Sequence, residues 1–147
     1  MQQHIEILTI ETPGRAMLDV SRCVDERLRA AGAADGLVTL FVRHTSASLL
    51  IQENADPDVQ HDLLAALDGL APEDGDYVHT IEGPDDMPAH IKAALTATSL
   101  AVPVMGGRMM LGTWQGVYLV EHRARPHRRE IVLHFAGSLS ASTEGGA

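Results

Sequence analysis

Residues His4–Ile10 read His-Ile-Glu-Ile-Leu-Thr-Ile. The near period of two and the β-branched content predict a strand. Pro13-Gly14 breaks it. Over Ala16–Ala30 the period lengthens: Met17, Val20, Val24 and Leu28, with Ala31 beyond, recur at spacings of three and four. That is one face of an amphipathic helix, closed by Gly32 and Gly36. Leu37–Val42 is a short apolar run that predicts a buried strand, and Ser48–Ile51 extends a second. Asp56-Pro57 has the form of a helix start, with Asp56 as cap and Pro57 in the first turn. Val59, Leu63, Leu64 and Leu67 supply that helix's apolar face up to about Gly69. Tyr77–Ile81 predicts a short strand, and Pro88 suits the first turn of a helix running through Ile91 and Leu95. Ser99–Val104, Arg108–Thr113, Gly116–His122 and Glu130–Phe135 predict four further strands.

The last four strands have connections too short for parallel crossovers, so they are expected to form an antiparallel meander. With helices confined to the first two-thirds, the fold class is α+β: an antiparallel or mixed β-sheet with two or three packed helices. Neither a repeat nor a linker interrupts residues 1–137, which are expected to form a single domain. Residues 138–147 are small and polar and are expected to be a flexible tail.

Composition narrows the function classes. At 147 residues the chain is long enough to bury a core. Aromatics are only 3%, so aliphatic residues and Met must build that core. A formal charge of −9 repels nucleic acid and anionic membranes at long range, so neither is an expected partner. The N-terminus has no secretion signal and no stretch reaches the length of a membrane span, which makes the cytoplasm the expected location. The one cysteine, Cys23, cannot form an internal disulfide and reads as structural.

Four groups of residues carry candidate chemistry. His44, His79 and His90 each sit at the end of a predicted element. Neutral imidazole is the commonest metal ligand, and three histidines with a water would make a zinc-like site. They are expected to meet in one pocket on a divalent metal ion, zinc or magnesium. Their spacing matches no compact ligand motif, so separate capping roles remain the other reading. Acidic residues flank them: Glu53-Asn54-Ala55-Asp56-Pro57-Asp58 on one side, Glu82 with Asp85-Asp86 on the other. Asp56, Asp58, Asp85 and Asp86 suit helix N-termini, whereas Glu53 and Asn54 have no such explanation. In Gly112-Thr113-Trp114-Gln115-Gly116 the only tryptophan can stack on a flat ring and Gln115 can donate and accept hydrogen bonds. A core or subunit-interface tryptophan would have the same pattern. Finally, Arg108 and the run Arg123–Arg129 are basic. Arginine grips phosphate well, although such a run usually marks a solvated turn. Standard nucleotide-binding loops are absent.

Taken in order, these segments resemble the YjbQ family. The matching stretches are His44-Thr45-Ser46-Ala47-Ser48-Leu49, Glu53 through Val59, Tyr77-Val78-His79 with Glu82-Gly83, and Asp86 through Lys92. They continue with Thr98-Ser99-Leu100, Pro103-Val104, Gly107-Arg108, Gly112 through Gly116, Glu121-His122-Arg123 and Arg128-Arg129. The resemblance implies a small α+β fold, a homotrimer and a secondary thiamine-phosphate synthase activity. That reaction joins hydroxymethylpyrimidine diphosphate to a thiazole phosphate and releases pyrophosphate. The family's polar positions retained here are His44, Asn54, Asp58, His79, His90, Trp114, Gln115 and Glu121. The expected roles are then metal binding for His44, His79 and His90, and catalysis for Glu53, Asp58 and Glu121. Asn54, Arg108, Trp114 and Gln115 would bind a small phosphorylated molecule. Imidazole ligands suit zinc better than magnesium, which prefers oxygen. Two alternatives therefore stand beside the synthase: a metal-dependent hydrolase using a water held at the histidines, and a non-catalytic trimer that binds a metal or small molecule.

Overall fold

A computed structural model describes residues 1–140. The elements, in chain order, are strands β1 (Gln2–Glu11) and β2 (Ala16–Asp19), helix α1 (Ser21–Ala30), strands β3 (Ala33–Val42) and β4 (Ala47–Glu53), and helices α2 (Pro57–Leu70) and α3 (Asp86–Leu95). Strands β5 (Ser99–Met105), β6 (Arg108–Met109), β7 (Gln115–Glu121) and β8 (Arg128–Leu139) complete the fold. All strand pairs are antiparallel: a five-stranded sheet ordered β1-β8-β3-β5-β6 and a three-stranded sheet ordered β2-β7-β4. The α+β class holds.

The two sheets face each other across one apolar core. Leu8, Val38, Leu40, Val42 and Leu133 come from the larger sheet and Ala47, Leu49, Val117 and Leu119 from the smaller, with Val24 and Leu28 of α1 filling in. A second cluster lies on the other face of the smaller sheet. There Met17, Tyr118 and Val120 pack with Leu63 and Leu64 of α2. The order of layers is thus α2, small sheet, core with α1 packed into it, large sheet. Among the described residues no helix lies over the outer face of the large sheet: Ile5, Ile7, Leu37, Phe41 and Met105 are all exposed there.

Several expectations need correction. Ala16–Asp19 is a strand paired with β7, not the first turn of a helix. The change is made at Asp19, whose carboxylate accepts the Ser21 N–H at 2.9 Å and ends the strand by an Asx turn. Tyr77–Ile81 is loop, and β6 covers only Arg108–Met109 of the longer strand expected there. The meander does not form, because β7 crosses to the small sheet and β8 inserts between β1 and β3. The chain also does not loosen at Gly137. Strand β8 continues to Leu139 and Ser140 N–H donates to the Gly32 carbonyl at 2.7 Å. Gly137 is needed for close approach: a Cβ there would lie 2.2 Å from the Asp35 carbonyl, at a bulge in the β3–β8 pairing. The rest of the expected tail, 141–147, lies outside the described residues.

Candidate metal centre

Helix α3 begins at Asp86, and His90 follows one turn later on the same face. The loop before the helix folds His79 back over this face. Its Nε2 lies 2.7 Å from Asp86 Oδ2, and His90 Nε2 lies 3.0 Å from the same oxygen. These three donor atoms fall within 4.8 Å of one another, the one such group of metal-binding side chains among the described residues. Asp86 is 4% exposed. Its other oxygen, Oδ1, pairs with Arg123 Nη1 at 2.9 Å. Burial alone would raise the Asp86 carboxyl; the His79 hydrogen bond and the His90 and Arg123 charges outweigh it and hold the group below the ordinary range. Asp86 is therefore a carboxylate.

Arg123 is the support beneath this group. Its Nε donates to Asp85 Oδ2 at 2.9 Å and its Nη2 to the Glu82 carbonyl at 3.1 Å. Burial would raise Asp85, but the Arg123 and Ala124 hydrogen bonds push it down to about 2. Arg123 is thus not part of a solvated turn: it ties the 82–86 loop to the segment after β7.

The hydrogen on His90 can be placed. Its Nδ1 lies 2.8 Å from the Thr45 carbonyl, an atom that can only accept, so Nδ1 carries a hydrogen. In a neutral imidazole Nε2 is then a bare lone pair, facing an ionised carboxylate oxygen at 3.0 Å. Two acceptors do not hold that distance unless a positive centre lies between them. Either His90 is an imidazolium or a cation sits among the three side chains. A tetrahedral ion at zinc bond lengths would separate its ligands by ~3.3 Å, so a small outward shift admits one. The Thr45 contact matches the usual arrangement in which a ligating histidine donates its second N–H to a carbonyl.

His44 does not join this group. Its Nε2 accepts the Glu130 N–H at 2.8 Å, so that lone pair serves the fold. Burial, then the Arg129 charge, lowers the His44 pKa and favours the neutral ring. His44 and His90 do share the walls of one open cleft of about 620 Å³, with Phe41, Arg43, Thr45 and Thr98. The expected trio of His44, His79 and His90 is therefore not brought together: His79 and His90 meet at Asp86, and His44 lies on the cleft wall.

The other expected residues lie elsewhere. Glu121 is fully buried, with Thr12 Oγ1 at 2.7 Å and Arg129 Nε at 2.8 Å on Oε1, and Arg123 N–H at 3.1 Å on Oε2. Arg129 also bonds Ser46. With both oxygens occupied and no exposure, Glu121 is a structural carboxylate, not a group that can transfer a proton to a ligand. Glu53 pairs with Gln115 at the far end of the β4–β7 ladder, six residues from the Ala47–Glu121 pair near the histidines. At ~3.4 Å per residue the two ends are ~20 Å apart. Asn54 bonds the Thr113 and Gln115 carbonyls, and Gln115 Oε1 accepts the Gly112 N–H at 2.8 Å. These amides hold the 112–115 turn. Trp114 is 65% exposed beside them. Asp58 lies in the exposed first turn of α2, and Arg108 is exposed on β6 at the edge of the other sheet. Within one chain, then, the expected substrate-binding set and the His79–Asp86–His90 group do not form a single site.

Sequence reasoning assigned Asp86 to capping and Arg123 to a surface turn. The available signal was the Asp86–His90 spacing of four with His79 seven residues before Asp86, which places three potential ligands around one helix start.

A family model described as UPF0047 protein YjbQ-like matches residues 6–138. A UPF0047 protein of Synechocystis is 53% identical over 94% of this chain and 95% of its own. The UPF0047 protein YjbQ of Escherichia coli O157:H7 is 47% identical over 69% of this chain and 74% of its own. Among solved structures, an uncharacterised YjbQ/UPF0047 family protein of Clostridium acetobutylicum superposes with a TM-score of 0.82 at 36% identity, covering 89% of this chain and 99% of that one. A hypothetical protein of Aeropyrum pernix gives 0.84 at 30% identity, over 92% and 99%. No helix among the described residues is long and apolar enough to cross a membrane. With the profile match spanning nearly the whole chain, and sequence and structural relatives covering most of their own lengths, the chain belongs to the UPF0047 YjbQ-like family.

Proposed function

We propose that this chain is a divalent-cation-dependent enzyme acting on a small phosphorylated molecule, with His79 Nε2, His90 Nε2 and Asp86 Oδ2 as the cation's ligands. The observation that carries the reading is the His90 ring: Nδ1–H is committed to the Thr45 carbonyl, and Nε2 faces a carboxylate. Two imidazoles and one carboxylate favour zinc over magnesium. When bound, such an ion polarises a phosphate oxygen and offsets the charge that builds on a departing phosphate.

The chain's own residues have definable tasks. Arg123 orients Asp86 through Oδ1 and, after the His79 hydrogen bond and the His90 charge, helps keep it ionised. Arg43, on the cleft wall, is paired at 3.1 Å with Glu130, and both side chains are about half exposed. An exposed pair of this kind is weak, so a phosphate can displace Glu130 from it. His44, neutral with Nε2 already accepting, presents Nδ1 as a donor. Hydrolysis has the better support within one chain, because Trp114 lies at the other end of β7 and offers no ring stack beside the ion. The synthase reaction needs such a platform from elsewhere, and the homotrimer implied by the resemblance belongs to that narrower reading.

The test is turnover. Protein loaded with zinc is incubated with hydroxymethylpyrimidine diphosphate, alone and with thiazole phosphate, with and without chelator. Phosphate or pyrophosphate release that needs metal but not the thiazole supports hydrolysis; release that needs both supports the synthase. Zinc binding with no turnover on these or simple phosphomonoesters would leave the non-catalytic binding protein as the better account.

A further inference from the structure

The cleft beside His90 has two unlike ends. On α3 its wall is made by His90, Ala93 and Ala94. Spacings of three and four put these on one helix face, with the imidazole at one end and two methyl groups about one turn further, ~6 Å along the axis. The facing wall comes from the end of β3 and the residues after it. Thr45 stands at the imidazole end, because its carbonyl accepts the His90 Nδ1–H at 2.8 Å. Val42 stands at the methyl end, because its N–H donates at 2.9 Å to the carbonyl of Thr98, just past the last turn of α3. Phe41, its neighbour, is 47% exposed and lines the cleft there. Arg43 and His44 lie between. The Glu130 N–H donates to His44 Nε2, so the hydrogen of a neutral ring is on Nδ1 and that nitrogen is a donor. Among the described residues the cleft lining contains no Asp, Glu, Asn or Gln. An ammonium group therefore finds no carboxylate in it, and the ring nitrogens and amine of a nucleobase find no side-chain amide.

We propose that this cleft binds phosphate monoesters in which the alcohol is an uncharged apolar ring, as in phenyl phosphate. The phosphate lies at Arg43, His44 and His90, and the ring lies against Phe41, Ala93 and Ala94. The assignment rests on the reading of the cleft as the phosphate site and adds the group that the phosphate carries. Size permits it: the cleft measures about 620 Å³, in the range of small-molecule pockets. The chemistry of departure favours a phenol over an alkyl alcohol. In hydrolysis a water oxygen bonds to phosphorus as the ester P–O bond breaks. The ring oxygen leaves with the electron pair and takes up one proton of the water, giving a phenol and inorganic phosphate. A phenol has a pKa near ~10, like tyrosine, so its anion leaves without the acid that an alkoxide requires. That suits a lining without a carboxylic acid.

The experiment measures binding first, with chelator present, so that it does not depend on a metal. Phenylphosphonate and methylphosphonate, which cannot be hydrolysed at an ester bond, are titrated into the protein by ligand-observed NMR beside adenosine 5′-monophosphate. Phenylphosphonate is expected to bind the wild type about tenfold tighter than methylphosphonate, the lower end of what an apolar pocket discriminates. Phe41→Ser and Ala94→Gln, both at exposed positions, are each expected to bring phenylphosphonate down to the methylphosphonate level. Ala94→Gln carries the test if Phe41→Ser unfolds. Equal affinity for the two phosphonates, an advantage that survives in the folded variants, tighter binding of the nucleotide, or no binding of phenylphosphonate overturns the assignment. Zinc-loaded protein is then given phenyl phosphate, methyl phosphate and adenosine 5′-monophosphate, and phosphate release is followed. Release from the last two but not from phenyl phosphate keeps the proposed function and overturns this inference. Phenylphosphonate binding as expected, with no release from any of the three, counts against the proposed function and leaves the preference of the cleft standing.

Discussion

Asp86 serves three partners at once: His79 and His90 on one oxygen and Arg123 on the other. A site of this kind depends on the carboxylate's orientation as much as on its charge, so Arg123 is expected to matter without touching the ion. Arg123→Ala should lower zinc affinity by about 10–100-fold, the usual range for a group that orients a ligand. His44→Ala should leave it nearly unchanged, because His44 is not in the group formed by His79, Asp86 and His90. Competition against a chromogenic chelator measures both; equal losses would put His44 back at the ion. This is also where sequence reasoning was weakest. His79 and His90 stood out because imidazoles at element ends invite attention. Asp86 reads as a helix-start residue, which it also is, and that role accounts for it without any contact to His90. Arg123 was masked by neighbouring basic residues, and nothing in a one-dimensional string reveals that its guanidinium folds back 37 residues to Asp86.

At the scale of elements, local pattern was legible wherever one face is buried and the other wet. The cap at Asp56 and Pro57 is as expected, with Asp56 accepting the Asp58 N–H at 2.9 Å. Strands β1, β3, β4, β5, β7 and β8 were all found from their apolar runs. Partner choice was not legible, because sequence spacing does not say which edge a strand will join. Strand β8 threads between β1 and β3, and β7 leaves for the other sheet. The buried Glu121–Arg129 pair shows what this topology requires. It joins β7 to β8, and Thr12 ties in the chain just after β1. Arg129→Ala would leave Glu121 buried and uncompensated, a loss of roughly 3–5 kcal/mol by the usual cost of breaking such a pair. Urea unfolding should show this as a lower midpoint with little change in slope. A midpoint within error of the wild type, with activity abolished, would instead return Glu121 to a catalytic role.

For the molecule as a whole, acid should act through His122 before it acts on the carboxylates. His122 is 1% exposed, its Nε2 lies 2.8 Å from Ser48 Oγ, and burial, with the Lys92 charge next, lowers its pKa to about 4. An unfolded chain takes up that proton near pH ~6.5, the folded chain only near 4, so between these values the unfolded state binds more protons. Stability should therefore fall as pH drops from ~6.5 to ~4, by about 3 kcal/mol in all. His122→Gln should flatten this part of the profile. The depressed carboxylates Asp86, Asp85 and Glu121 act lower, where protonation removes their ion pairs. Layer order and the uncovered sheet face are properties of the whole chain and could not be read from any one segment. The central claim is that a divalent ion belongs among His79, Asp86 and His90, and metal analysis tests it most directly. Purified protein is equilibrated with zinc, freed of excess by desalting, and analysed by mass spectrometry of the element. The account predicts one zinc per chain in the wild type and in Trp114→Ala, and almost none in Asp86→Ala or His90→Ala with the fold retained. No zinc in the wild type, or zinc unchanged in those last two variants, would contradict it.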